Sequence, residues 1–113
     1  MGKSMNRVEI RGNVGLDPKI NIFEEGGTVM RLSLATNENY KNRKGELLEE
    51  TVWHNVVAWT GRNMPDFEKI KKGDFLQIVG RLKPVQYVTK TGVERQTYEI
   101  VASGIKMEDN SEV

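Results

Sequence analysis

Residues 51–83 read TVWHNVVAWTGRNMPDFEKIKKGDFLQIVGRLK, and the spacing of apolar positions changes twice along them. From Thr51 to Thr60 the period is two. Trp53, Asn55, Val57 and Trp59 share one face with Thr51, while Val52, His54, Val56 and Ala58 share the other. From Met64 the period is three: Met64, Phe67, Ile70. Asn63 can cap this stretch, and Pro65 fits a first turn, where its missing N–H costs little. Lys69, Lys71 and Lys72 before Gly73 make a basic last turn and a stop. The spacing predicts one short helix over 64–72. Asp74–Lys83 returns to period two, with Leu76, Ile78, Gly80 and Leu82 on one face.

Upstream, Val8, Ile10, Gly12 and Val14 alternate with Arg7, Glu9, Arg11 and Asn13, a half-buried strand. Gly15-Leu16-Asp17-Pro18 interrupts it, and Lys19–Phe23 resumes extended structure. Glu24-Glu25-Gly26-Gly27 is a hairpin turn, with glycines free to take positive φ. Val29–Asn37 is the second long strand, and the polar stretch Tyr40–Glu50 a protruding hairpin loop. Downstream, 84–95 forms a second hairpin arm turning near Lys90-Thr91-Gly92, and Gln96–Met107 is a fifth strand. Val and Ile total 19 residues against 3 Ala, a mix suited to sheet. Five strands with one short helix between the third and fourth predict an all-β chain. The pattern is that of the OB-fold, a partly open five-stranded Greek-key barrel. Residues 6–107 form this domain, 1–5 an N-terminal arm or an expression remnant, and 108–113 an acidic disordered stub.

At 113 residues and net charge +1, the chain is one domain of balanced charge. No apolar run approaches the roughly 20 residues that span a bilayer, and there is no secretory signal, so the expected location is cytoplasmic. With no Cys and a single His, thiol chemistry and His-rich zinc sites are excluded, and neither a metal nor a cofactor is expected. Glu24-Glu25 and Glu49-Glu50 are adjacent pairs whose members face opposite ways on extended backbone, which makes no carboxylate dyad. No Gly-x-Ser-x-Gly elbow is present. The chain is not expected to be an enzyme.

The remaining chemistry is aromatic and cationic. Trp53 and Trp59 lie six residues apart on one strand face, roughly 20 Å at about 3.3 Å per residue, a distance several stacked nucleotides span. Pattern alone leaves them equally open to a core reading. On the fourth strand and its arm, Arg81, Lys83, Val85 and Tyr87 alternate cation with apolar or aromatic. Tyr40 stands beside Lys41, Arg43 and Lys44. Rings interleaved with cations on a sheet face and two projecting loops suit single-stranded nucleic acid, whose bases stack on any ring while Lys and Arg follow the phosphates. The candidate stacking residues are Tyr40, Trp53, Trp59 and Tyr87. The candidate phosphate contacts are Arg7, Lys41, Arg43, Lys44, Arg62, Lys72, Arg81, Lys83, Lys90 and Arg95.

Across Asn6–Met107 the chain resembles the bacterial single-stranded DNA-binding protein family. The matching stretches are Asn6-Arg7-Val8, Gly12-Asn13-Val14-Gly15-Leu16-Asp17-Pro18, Leu34-Ala35-Thr36-Asn37-Glu38, Glu50-Thr51-Val52-Trp53-His54-Asn55-Val56-Val57, Lys72-Gly73-Asp74 and Val79-Gly80-Arg81-Leu82. The resemblance implies an OB-fold homotetramer that coats single-stranded DNA without sequence preference in replication, recombination and repair, associated with the nucleoid. It places the stacking positions on Tyr40, Trp53, Trp59 and Tyr87, and a subunit contact on His54. Tyr40 and Tyr87 stand where the family commonly has tryptophan, and Trp59 where it commonly has Phe. Asn55, Val85 and Gln86 stand where it is often basic, so weaker phosphate attraction is expected. The family usually continues into a flexible tail with an acidic tip that recruits other proteins. The sequence here stops at Val113, which implies only weak recruitment of replication and repair proteins. Rival readings are an OB module serving replication restart or binding RNA and, in another class, an OB domain for protein interaction.

Overall fold

The computed structural model describes residues 2–108. The period-two stretches form six strands: β1 Val8–Val14, β2 Lys19–Ile22, β3 Thr28–Lys41, β4 Leu47–Trp59, β5 Phe75–Val88 and β6 Glu94–Glu108. Their hydrogen-bonded order is β1-β5-β6-β4-β3-β2, and β3 also pairs with β1 at Asn13↔Ala35 and Val14↔Leu34. That last pairing closes β1, β5, β6, β4 and β3 into the expected five-stranded barrel. β2, the resumed extension after Pro18, lies along the same edge of β3 as β1, over residues 28–31, while β4 holds the opposite edge. All contacts are antiparallel except β4–β6, which meet in parallel over Val56↔Ile100 and Val57↔Val101.

The inward alternation builds the core. Val14, Met30, Leu32, Leu34, Val56, Ala58, Leu76, Ile78, Ile100, Ala102 and Ile105 are buried together. Closure needs a residue without a side chain at Gly12, where a Cβ would stand 2.0 Å from the carbonyl oxygen of Ala35.

The predicted helix over 64–72 is instead a single 3-10 turn, Phe67–Lys69. Asn63 does not cap it; its backbone is left-handed, at φ 68. Pro65 disfavours helical geometry at the residue before it, and the turn begins only after Asp66, whose carboxylate accepts from the Glu68 N–H at 3.1 Å. Ile70 is already extended and ends it. A repeat of three is also the period of a 3-10 helix. Phe67 and Ile70 are buried in the barrel core and Met64 packs against it, so the apolar residues still plug the barrel.

Both hairpin loops are mostly sheet. β3 and β4 pair without interruption from Val29↔Trp59 to Lys41↔Leu47, and β5 and β6 stay paired out to Val88↔Glu94. Each ribbon ends in a short turn. In the first, the Asn42 side chain accepts from the N–H groups of Lys44 and Glu46 at 2.9 and 3.0 Å. β6 runs through Glu108, the first residue assigned to the acidic stub. Glu108 lies opposite Phe75, with its carboxylate 3.2 Å from Arg11 Nε. The rest of the stub, 109–113, lies outside the described residues. No helix among the described residues is long and apolar enough to cross a membrane.

Candidate nucleic-acid interface

The unbroken β3–β4 register assigns each side chain to a face. Val52, His54, Val56 and Ala58 share the inward side with Leu34 and Leu32, and Val56 and Ala58 are fully buried. Trp53 and Trp59 point outward and are 59% and 49% exposed. Neither tryptophan belongs to the barrel core, and the pair forms one outward platform.

Each indole has a seat. Trp53 lies over Gly15, where a Cβ would come within 2.3 Å of the six-membered ring. Gly15 is itself held by its N–H donating to the Ser33 carbonyl at 2.9 Å. Trp59 stacks on Phe23, centroid to centroid 5.5 Å at an interplanar angle of 25°. Beyond Trp53 the outer face carries Thr51, whose hydroxyl donates to Asn37 Oδ1 at 2.7 Å.

Other candidates join this face through the β5–β6 ribbon. Arg81, Lys83, Val85 and Tyr87 share one side of β5, opposite Val101, Glu99, Thr97 and Arg95 of β6. Between ribbon and barrel runs a groove of about 410 Å³, lined by Leu16, Lys19, Arg31, Ser33, Asn55, Val85, Thr97 and Glu99 among others. The groove thus starts beside the tryptophan strand and leads onto the cationic arm.

Tyr40 is not brought to this platform. Register puts it opposite Leu48, on the side of the ribbon that carries His54 rather than Trp53. Lys41 does share the outer side, while Arg43 and Lys44 sit in the turn at the ribbon's tip and Lys90 at the tip of the other. Arg62 is exposed just past the end of β4. Lys72 is exposed, its N–H donating to Asp17 Oδ1 at 2.7 Å. Arg7 precedes β1 and lies 3.6 Å from Glu9. The middle cluster is less basic than its cations suggest, because Glu38 and Glu50 face each other directly across the same ribbon.

His54 is half-buried, and its Nε2 shares a 2.9 Å hydrogen bond with Thr36 Oγ1. That bond accommodates an imidazole on an otherwise apolar inward stripe.

Sequence reasoning missed Lys19, Arg31 and Tyr98. Lys19 and Arg31 are direct partners across β2–β3, and Arg31 is also opposite Val57, between the two tryptophans. Arg31 makes an ion pair with Glu99 at 3.1 Å across the groove. These two cations stand on the face where Asn55 and Val85 lack charge. The only signal for them was alternation within β3, which reaches Arg31 from Val29 but says nothing of what lies across from it. Tyr98 is exposed and lines the groove, because β6 extends past the barrel and an inward position there emerges into solvent.

A sequence model described as the Single-strand binding protein family matches residues 5–108. The chain belongs to this family. It is 35% identical over 104 residues to single-stranded DNA-binding proteins of Neisseria meningitidis serogroups A and B, which covers 92% of this chain. The chain spans 60% of the length of those curated relatives. Among solved structures, a Plasmodium falciparum SSB in complex with ssDNA superposes with a TM-score of 0.81 at 30% identity, covering 96% of this chain and 99% of that one. A deletion mutant of the single-stranded DNA binding protein from Thermus aquaticus superposes with a TM-score of 0.77 at 21% identity. That match covers 95% of this family member and 52% of the Thermus chain, and it carries the fold alone.

Proposed function

We propose that this chain binds single-stranded DNA without sequence preference and protects it during replication, recombination and repair. The observation that carries the reading is the outward pair Trp53 and Trp59 on β4, bordered by Arg31 and Lys19 and leading by a groove onto Arg81, Lys83 and Tyr87. Aromatic faces accept any base, and cations set among them neutralise phosphates. Tyr40, with Lys41, Arg43 and Lys44, takes the strand onward around the first ribbon. Arg95 and Lys90 do so along the second, and Arg7, Arg62 and Lys72 supply peripheral attraction. The relatives named as single-stranded DNA-binding proteins, and the neighbour in complex with ssDNA, support the same ligand. On this reading the chain is a binding module rather than an enzyme. It works as a homotetramer with His54 near a subunit contact, in the cytoplasm with the nucleoid.

The test is a titration with oligo-dT, an RNA of equal length and duplex DNA, following tryptophan fluorescence. Oligo-dT should quench and the duplex should not. Stacking one base is worth about 1–3 kcal/mol, so Trp53→Ala should weaken binding roughly 5- to 150-fold. A folded Trp53→Ala with unchanged affinity defeats the proposed platform, and preference for RNA moves the ligand to the other nucleic acid.

A further inference from the structure

We propose that Phe23 is itself a base-stacking residue, adding one ring to the platform at the Trp59 end. This rests on the single-strand reading above and concerns which ring the strand touches there. Phe23 follows β2 directly and stacks on Trp59, the only aromatic pair among the described residues. Separation and tilt describe an offset stack, an arrangement that aromatic pairs favour. It occupies part of the indole surface. Gly27 lies close to the same indole, a Cβ there falling 3.7 Å from its six-membered ring. Trp59 is thus engaged by its own protein on Phe23 and over Gly27.

Phe23 keeps a free side. It is 48% exposed, so part of its ring faces solvent although it is stacked on Trp59. Nor is Phe23 on a loose tip. Its N–H donates to the Gly27 carbonyl and its carbonyl accepts from the Gly26 N–H, both at 3.1 Å. Gly26 and Gly27 take φ of 91° and 97°, the left-handed region that lets the chain reverse in so few residues. A ring held by its turn and backed by an indole loses little freedom when a base lands on it, which favours binding. A base on the outer face of Phe23 continues the Phe23–Trp59 stack outward.

The competing role for Phe23 is packing alone, holding Trp59 while the base lands on the indole. Substitution and photochemistry separate the two. Phe23→Leu retains apolar bulk against Trp59 but has no π-face, whereas Phe23→Tyr retains the face. The full chain is titrated with oligo-dT as wild type, Phe23→Ala, Phe23→Leu and Phe23→Tyr. Oligonucleotides carrying 5-iodouracil are also cross-linked to it by light, and the adducts are mapped by mass spectrometry. Phe23→Ala and Phe23→Leu should each weaken binding roughly 5- to 150-fold, the range for losing one stacked base, and Phe23→Tyr should not. An adduct should fall on Phe23 in the wild type. Wild-type affinity for Phe23→Leu, or adducts at Trp53 and Trp59 with none at Phe23, overturns the proposal and leaves the platform reading standing. Loss of adducts at Trp53 as well, with Trp53→Ala binding normally, removes the platform and this proposal with it.

Discussion

Gly15→Ala should disable part of the interface while leaving the fold intact. The new methyl would lie 2.3, 2.9 and 3.3 Å from three carbons of the Trp53 ring. Carbon atoms in contact prefer about 3.5–4.0 Å, so the closest must retreat by roughly 1–2 Å. What meets the methyl is the far end of a side chain 59% exposed, and it can move outward. An off-rotamer swing of about 30° costs on the order of 0.5–1.5 kcal/mol. Gly15 is not among the residues with positive φ. Ala therefore fits its backbone, and the stiffer unfolded chain returns about 0.4–1 kcal/mol. The two contributions to stability nearly cancel, so the melting temperature should change little. Binding should suffer, because an indole displaced by this much no longer meets a base squarely. Up to the full stack of about 1–3 kcal/mol is at stake, so a 5- to 20-fold loss is expected. The assay is oligo-dT titration beside thermal melting, with Gly12→Ala as the contrast. At Gly12 the methyl meets backbone, 2.0 Å from the Ala35 oxygen, and that variant should lose stability. A stable Gly15→Ala with wild-type affinity and unchanged Trp53 emission would refute the reasoning.

Arg31 divides its charge between Glu99 and any phosphate in the groove, so Glu99→Gln should tighten single-strand binding at low salt. Arg31→Ala should weaken it and lower the salt slope in a log–log plot by about 0.7, the value for one phosphate on a single strand. On the first ribbon, Glu38→Gln removes a like-charge pair directly opposite Glu50. Denaturant unfolding should show a gain of roughly 0.2–1 kcal/mol, shrinking as salt is added; a loss would mean the carboxylates are not opposed in solution.

The barrel could be read from the chain because its signals are local. Alternation at Val8–Val14 and Val52–Ala58 needs no knowledge of a partner strand, and it separated Trp53 and Trp59 from the inward stripe. What escaped depends on more than one element. Three-residue spacing at Met64, Phe67 and Ile70 fits an α-helical face as well as a 3-10 turn, and it was the conformations of Asn63 and Met64-Pro65 that decided. The ribbons' outer thirds, with Glu38, Asn39 and Lys41 facing Leu47, Glu49 and Glu50, lack apolar alternation. Their strand structure comes from hydrogen bonds handed on from the barrel. Tyr40 could be assigned to the side opposite Trp53 only once the ladder was known to run unbroken. Arg31 and Lys19 became candidates only when β2, β3 and β4 were laid side by side.

The closing of the barrel through Gly12 also divides the chain by how far each part must travel to fold. The two long ribbons join neighbours across short turns, and such hairpins zip within about 1–10 μs. The first strand has no such neighbour. Val8 must find Gly80, about seventy residues onward, and Val14 must meet Leu34, about twenty residues onward, for the barrel to close. Long-range pairings of this kind pay their loop-closure entropy before contacts compensate it, and they slow folding. The ribbon bearing both tryptophans is therefore the quick, local half of the molecule, and the seal made by its first strand is the slow half.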